Sequence, residues 1–528
     1  MVNVIVVGAG IAGLTASIRA CDRGANVSLI SPDYSERAQS VMAMGGINAS
    51  MNTKGEDDSP KQHFTDTMKG GCEINNEKAV RMLTDDAPKI IDWLERMGTS
   101  FSRDKYGNVD MRNFGGQKKK RTVYAGSRTG KQIVSALVNA CRKRESEGRI
   151  KRFIGFRFLS LIFTDKNECC GVNCINEDTQ EIRSFAGDAV IIATGGYNQI
   201  FGRILGSTQN DGFATARLFA QGVELANLEM VQYHPTTVMT PQKRMLITEA
   251  ARGEGGKLFV MKNGEPWYFM KDFYPELADL MPRDVVSRSI FKVSEGGKKD
   301  VFLDLTHLGE DTIKIKLDEV YEICMKYLNL NPLENPIPVF PAVHYFMGGI
   351  RTDENHKTNI KGLYAAGECS CQYHGANRLG GNSLLGAVHG GWISGENAVH
   401  ENPQGNMINN LDDELNAFNS YSCGERPLDD ALGEISQIMN DSMTIYRNAD
   451  DLNNALVKLD NLDLNVNAKY YDYIKVRLLA VLARASIMSA LFRKESRGAH
   501  QRTDYPESDD EYKKSTCAVY KNGEIVIA

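Results

Sequence analysis

The sequence predicts an α/β protein: a Rossmann-like dinucleotide-binding domain, interrupted by an inserted α+β capping domain and followed by a C-terminal helical domain. Three observations carry this. The apolar run Val2–Val7 leads into "GAGIAG", a helical stretch from Leu14 to about Arg23 and a second strand, "GANVSLIS" (Gly24–Ser31). Alone the glycine motif is weak, but strand, glycine turn, helix and strand within about 30 residues is the context that gives it meaning. "AVIIATGG" (Ala189–Gly196) and "GLYAAGE" (Gly362–Glu368) then repeat the pattern of a buried parallel strand ending in glycine. Between these two, the texture changes to short mixed elements with proline and many charges, and from about His400 the periodicity is helical and polar. The boundaries that follow are 1–222 and 345–399 for the nucleotide domain, 223–344 for the cap and 400–528 for the helical domain. A chain of 528 residues is longer than one core sustains, which agrees with several domains.

In chain order, Gly8 makes the tight turn, Gly10 lets the backbone approach a pyrophosphate, and Gly13 allows close helix packing. The helix N-terminus offers free N–H groups to phosphate. An acidic residue is expected at the end of the second strand to bind ribose, but Ser31 stands there, a weaker partner. The next segment, "ERAQSVMAMGGINASM" (Glu36–Met51), contains a Gly45-Gly46 pair where something passes close to the backbone. Gln39 and Ser40 are its side chains able to bond a cofactor. Two strands around Phe153–Thr164 and Glu168–Ile175 precede Ala189, and "GNSLLGAVHGGWISGENAV" closes the nucleotide domain as a helix.

Composition narrows the function. The apolar share of 42% and charged share of 24% are those of a globular enzyme, and 48 glycines suit many close backbone approaches. A net charge of −5 is too small to argue for a nucleic-acid partner, and Lys118-Lys119-Lys120-Arg121 reads as a solvated loop, with a patch for phosphate or an acidic partner as the alternative. Eleven cysteines without paired spacing read as reduced thiols, with no metal or iron–sulfur cluster held by this chain. The most apolar helix, Leu478–Phe492, is interrupted by Arg484 and is shorter than the roughly 20 residues a bilayer requires. With a strand starting almost at Met1 and no signal peptide before it, the expectation is a cytoplasmic chain without direct membrane insertion, peripheral at the inner face of a membrane if a partner subunit holds it there.

The middle of the chain carries "QYHPTT" (Gln232–Thr237), "ITEAARGEGG" (Ile247–Gly256), "PRDVVSR" (Pro282–Arg288), "HYFMGGI" (His344–Ile350) and "HGANRLGGNSLL" (His374–Leu385). With "NFGGQKKKRT" and "RKESRGAHQRTDYP" (Arg493–Pro506), these resemble, segment by segment, the flavoprotein subunits of succinate dehydrogenase and fumarate reductase. The resemblance implies FAD, bound by Gly8, Ala9, Gly10, Gly13, Ser31, Gln39, Ser40, Gly45, Gly46, Asp211, Glu368, Ser383 and Leu384. It implies a dicarboxylate, fumarate or succinate, gripped by His234, Thr248, His344 and Arg378. Two carboxylates need cationic or donor groups at both ends, and these residues supply them. In the family, the arginine matching Arg283 gives a proton to one alkene carbon while flavin N5 gives hydride to the other. A guanidinium, with a pKa above about 12, is a poor acid and needs a relay. Glu249 and Arg252 match it, and their i to i+3 spacing would place them on one helical face or make them a structural ion pair.

L-aspartate oxidases share much of this pattern but carry a glutamate where this chain has Phe114, which offers no charge to an ammonium group. Met347, Leu379 and Ala499 also resemble the fumarate reductase branch. A reductase of another small α,β-unsaturated acid is a further alternative, and a flavin-binding relay subunit without chemistry of its own would be free to lose the substrate cluster kept here. Covalent members carry a histidine where this chain has Gln39, so the resemblance implies non-covalent FAD and, through a lowered flavin potential, favours fumarate reduction. The chain ends soon after "DYPESDDEYKK", whereas many members continue, so a reduced or different partner surface is expected; because electrons must reach the flavin, the expected partner is an iron–sulfur subunit or a soluble donor.

Overall fold

The computed structural model describes residues 1–202, 204–240, 244–408 and 410–528. At its centre lies a parallel sheet of five strands in the order Leu363–Ala365, Ala189–Ile192, Asn3–Val7, Asn26–Ser31 and Ile150–Ile154. Period-2 alternation with cover on both faces explains why residues 4–7 and Ala189–Ile192, inside the sheet, are apolar on both sides, while the edge strand Ile150–Ile154 carries Lys151 and Arg152. Val4 and Val6 enter the core shared with helices Ile11–Asp22, Thr129–Ser146 and Asn382–Ala398, while Ile5 and Val7 enter the core on the opposite face. That face is covered by an antiparallel sheet of Phe156–Thr164, Cys169–Asn176, Ile182–Ala186 and Met407–Ile408. The run read from the sequence as one strand from Phe153 is therefore two. Gly155, at φ +86°, breaks it, and Ile150–Ile154 completes the parallel sheet.

The glycine turn is built as its spacing demands. Gly8 has φ +108°, and a β-carbon there would lie 2.2 Å from the Ala193 carbonyl oxygen. At Gly13 a β-carbon would strike the Gly8 carbonyl oxygen at 1.8 Å, so the helix sits on the turn only without a side chain.

The cap is an antiparallel sheet of six strands, ordered Arg244–Leu246, Val231–Met239, Ile337–Phe346, Val301–Asp304, Lys257–Lys262 and Glu265–Trp267, with its own core. The strand bearing His344 continues to Phe346 and so crosses the boundary placed at 344. Leu225–Ala226 lies outside this sheet and pairs with Gly349–Arg351 and with Cys517–Lys521.

Helices Leu428–Ser442, Ala449–Asp460 and Tyr470–Phe492 form the C-terminal unit, but the region 400–528 is not helical to its end. It closes in a hairpin, Cys517–Lys521 with Glu524–Ile527. Among the described residues no helix is long and apolar enough to cross a membrane. Arg121 corrects another reading. It is not part of a solvated loop but fully buried, with Asp58 at 2.9 Å and Asp66 at 2.7 Å.

Candidate active site

One cavity of about 290 Å³ runs from the end of the second strand, past the glycine turn, to the underside of the cap. Its first part suits a dinucleotide. Gly8, Ala9 and Gly10 line it, and helices Ile11–Asp22 and Asn382–Ala398 open on it with N-termini that carry no side-chain cap. Beyond Ile11 and Asn382, whose N–H groups meet Ser40 Oγ and the Leu379 carbonyl, the first-turn N–H groups make an anion cradle. Ser383 and Leu384 line the cavity at the second of these N-termini.

Ser40 Oγ accepts from the Ile11 N–H at 3.3 Å, and Gln39 Oε1 accepts from the Ser207 N–H at 2.6 Å. Ser31 reaches the cavity, yet its hydroxyl donates to the Asp33 carbonyl at 2.7 Å, leaving oxygen lone pairs for a ligand. Asp211 accepts from the Phe213 N–H at 2.9 Å and pairs with Arg157 at 3.3 Å. Glu368 accepts from the Phe346 N–H at 3.2 Å, and burial pushes its carboxyl up to about 7.

The Gly45-Gly46 pair is pressed from both sides. A β-carbon on Gly45 would meet the Phe114 ring at 2.8 Å, and Gly46 has φ +136° with the Val123 carbonyl oxygen 2.5 Å from where a β-carbon would sit. Arg112 fixes this loop by donating to the carbonyls of Gly45 at 3.0 Å and Met44 at 3.1 Å.

Beneath the cap the cavity becomes cationic. Arg283, at the start of helix Arg283–Val293, places Nη2 2.6 Å and Nε 2.8 Å from Glu249 Oε2. On the other side, Arg252 Nη2 is 3.6 Å from Glu249 Oε1, which also accepts from the Gly115 N–H at 3.0 Å. Glu249 immediately precedes the short helix Ala250–Gly253, so the i to i+3 pairing is realised. Burial opposes ionisation of Glu249, but the two guanidiniums together hold its carboxyl below the usual range.

Arg378 is buried, with no carboxylate partner among the described residues. It donates to Gln232 Oε1 at 2.8 Å, lies 4.2 Å over the Tyr345 ring and keeps its Nε unbonded. Burial and the nearby Arg283 pull its pKa down to about 9. The rings of His234 and His344 are 5.2 Å apart, and burial and the adjacent arginines keep both neutral. Among the described residues His234 Nε2 has no partner, while its Nδ1 lies 3.2 Å from the Thr236 carbonyl oxygen. Thr248 lines the same wall. Three guanidiniums thus face one firmly ionised carboxylate and the half-titrated Glu368, an excess of positive charge that fits a dianion.

Gln232 escaped the sequence reading. It accepts from Arg378 and, at 3.4 Å, from Arg283, and donates to Asn377 Oδ1 at 2.9 Å, so it spaces two like charges. The available signal was period 2: in strand Val231–Met239, Gln232 and His234 are two residues apart and share a face. Phe114 is buried beside Gly45 and Gly380, and Met347 and Ala499 pack in one small apolar cluster.

Cap and nucleotide domain meet at a second, small cavity of about 10 Å³, room for one water, lined by Arg112, Thr248 and Glu319. Glu319 Oε2 is buried there without a partner among the described residues, and burial pushes the carboxyl up to about 7. The folded protein therefore holds this proton more tightly than the unfolded chain, and stability falls as pH rises from the unfolded value toward 7. Glu319→Gln is expected to match the wild type near pH 4.5 and to exceed it above pH 7 by on the order of 1 kcal/mol after solvent screening. Urea unfolding at both pH values measures it.

Residues 3–384 match the family model described as FAD binding domain, and residues 433–527 match that of the fumarate reductase flavoprotein C-term. The chain is 39% identical to the succinate dehydrogenase flavoprotein subunit of Bacillus subtilis, over 98% of this chain and 93% of that protein. It is 33% identical to the fumarate reductase flavoprotein subunit of Mycobacterium tuberculosis, over 97% of this chain and 93% of that protein. A solved quinol-fumarate reductase chain with menaquinol superposes with a TM-score of 0.90 at 31% identity, covering 100% of this chain and 97% of that one. With these matches spanning nearly its whole length, the chain belongs to the succinate dehydrogenase and fumarate reductase flavoprotein family, a family of FAD-dependent oxidoreductases.

Proposed function

We propose that this protein interconverts fumarate and succinate, with fumarate reduction favoured, using FAD held by non-covalent contacts alone. The observation that carries the proposal is the cavity joining a dinucleotide cradle to Arg283, Glu249, Arg378, His234 and His344, with Arg252 buried behind Glu249. When bound, FAD supplies the two-electron hydride chemistry at its N5.

The chain supplies the rest. Arg378, the free Nε2 of His234, His344 and Thr248 bind and orient the two carboxylates, and the neutral histidines can donate without adding charge. Arg283 presents an N–H to the alkene carbon and gives up a proton. Glu249, between the two guanidiniums, returns one from Arg252. For direct transfer the 3.6 Å separation between Arg252 and Glu249 must close to about 2.9 Å. Phe114 leaves the wall without the anionic partner that an aspartate oxidase would use for its substrate's ammonium group.

Gln39 supports the non-covalent reading. Its amide has no nucleophilic ring nitrogen, and its carbonyl oxygen is occupied by the Ser207 N–H. Acid precipitation is expected to leave all FAD in the supernatant, and a yellow pellet would refute this. The test of the whole proposal is turnover of the purified protein with reduced viologen and fumarate, succinate and a dye, or aspartate and oxygen. The first pair is expected to be fastest, and turnover with aspartate alone would overturn the assignment. Electrons are expected to arrive from an iron–sulfur subunit or a soluble donor, and attachment to a membrane would be through such a partner.

A further inference from the structure

Four arginines line the long cavity: Arg157, Arg244, Arg283 and Arg378. Three have counterparts already described. Arg157 pairs with Asp211, Arg283 with Glu249, and Arg378 lies against Gln232 and the Tyr345 face. Arg244 is different. It is half-buried, and among the described residues its guanidinium has no hydrogen-bond, ion-pair or ring partner. Burial alone acts on its ionisation, pulling its pKa down, and no carboxylate offsets the effect. A half-buried cation without a counter-charge is costly unless something anionic visits it.

Its place in the fold indicates what visits. Arg244 begins the edge strand Arg244–Leu246 of the cap sheet, opposite Met239, which is 52% exposed, so it stands at the rim. From there Met245, Leu246, Thr248 and Glu249 line the same cavity, a continuous wall from the mouth to the reacting cluster. Four residues of extended chain span at most about 13 Å, so Arg244 is one step outward from Thr248.

We propose that Arg244 is the entry-side anion-binding residue of this enzyme. It takes one carboxylate of an incoming dicarboxylate at the cavity mouth and guides the dianion toward Arg378 and Thr248. The inference rests on the dicarboxylate reading of the site. A single guanidinium in a cleft with low-dielectric walls raises the local concentration of a dianion and speeds its capture, an effect that salt screens.

The test uses the FAD-loaded protein and compares wild type, Arg244→Gln and Arg244→Lys. Fumarate association is followed by the change in the flavin visible spectrum on rapid mixing at about 20 mM and about 200 mM salt, with steady-state kcat and KM measured alongside. At low salt, Arg244→Gln is expected to slow association and lower kcat/KM about 10-fold, to flatten the salt dependence, and to change kcat less than about 2-fold. Arg244→Lys restores most of the loss, because the charge rather than the fork geometry acts. Equal association rates and equal salt dependence in wild type and Arg244→Gln would overturn the inference. So would loss of FAD from Arg244→Gln with unchanged kcat/KM per bound flavin, which would assign the residue to the cofactor. If the wild type neither binds nor converts fumarate or succinate, the functional reading itself has failed.

Discussion

Arg283→Lys is expected to lower fumarate reduction by on the order of 10³-fold while the protein keeps its FAD. Arg283 touches Glu249 through two nitrogens and Gln232 through a third, so its guanidinium is fixed as a fork, aimed by its neighbours. Lysine supplies one charge but neither the fork nor a second nitrogen facing the substrate, and its more flexible stem cannot hold the same position. The residue lines the cap side of the cavity, away from the glycine turn and the second strand, so cofactor retention should survive. Flavin absorbance after gel filtration and viologen-linked fumarate reduction measure the two properties separately. Normal turnover in a flavin-replete variant would remove Arg283 from the proton path.

Much of this site was legible because its signals are local. The turn at Gly8 and the helix that follows lie within one strand–turn–helix unit, and Glu249 and Arg252 are three residues apart in a short helical turn. What the sequence hid depends on distant partners. Arg121 looks like the end of a basic run, and only its approach to Asp58 and Asp66, more than 50 positions earlier, turns it into a core residue. The hairpin after Arg493 has ordinary strand residues, but its pairing with Leu225–Ala226 spans about 290 positions and leaves no local trace. Gln232 leaves one local signal, its period-2 spacing to His234, and its role emerges when two arginines from distant segments converge on it. Glu319 is similar. Its burial depends on an opposing wall with Arg112, which comes from another domain.

Glu249→Gln should separate proton relay from structural ion pairing, the two roles the spacing to Arg252 allows. The variant keeps the size of the side chain and can still accept from Gly115, but it removes the negative charge between Arg283 and Arg252. Two buried guanidiniums then lose their common counter-ion, which should destabilise the empty protein by about 3–5 kcal/mol at pH 7. A bound dicarboxylate should return part of this, because its charge replaces the missing one. The pH dependence fixes the sign. Glu249 has a folded pKa below its unfolded value, so its stabilisation is present above about pH 4.5 and is lost as pH falls through the folded value. Wild type and variant should therefore converge in stability in acid and diverge toward neutrality, as denaturant unfolding at several pH values would show. For catalysis, a relay role predicts a fall in fumarate reduction of about 10²–10⁴-fold in folded, flavin-loaded, dicarboxylate-binding protein. A purely structural role predicts the same loss of stability, but near-normal turnover per folded molecule.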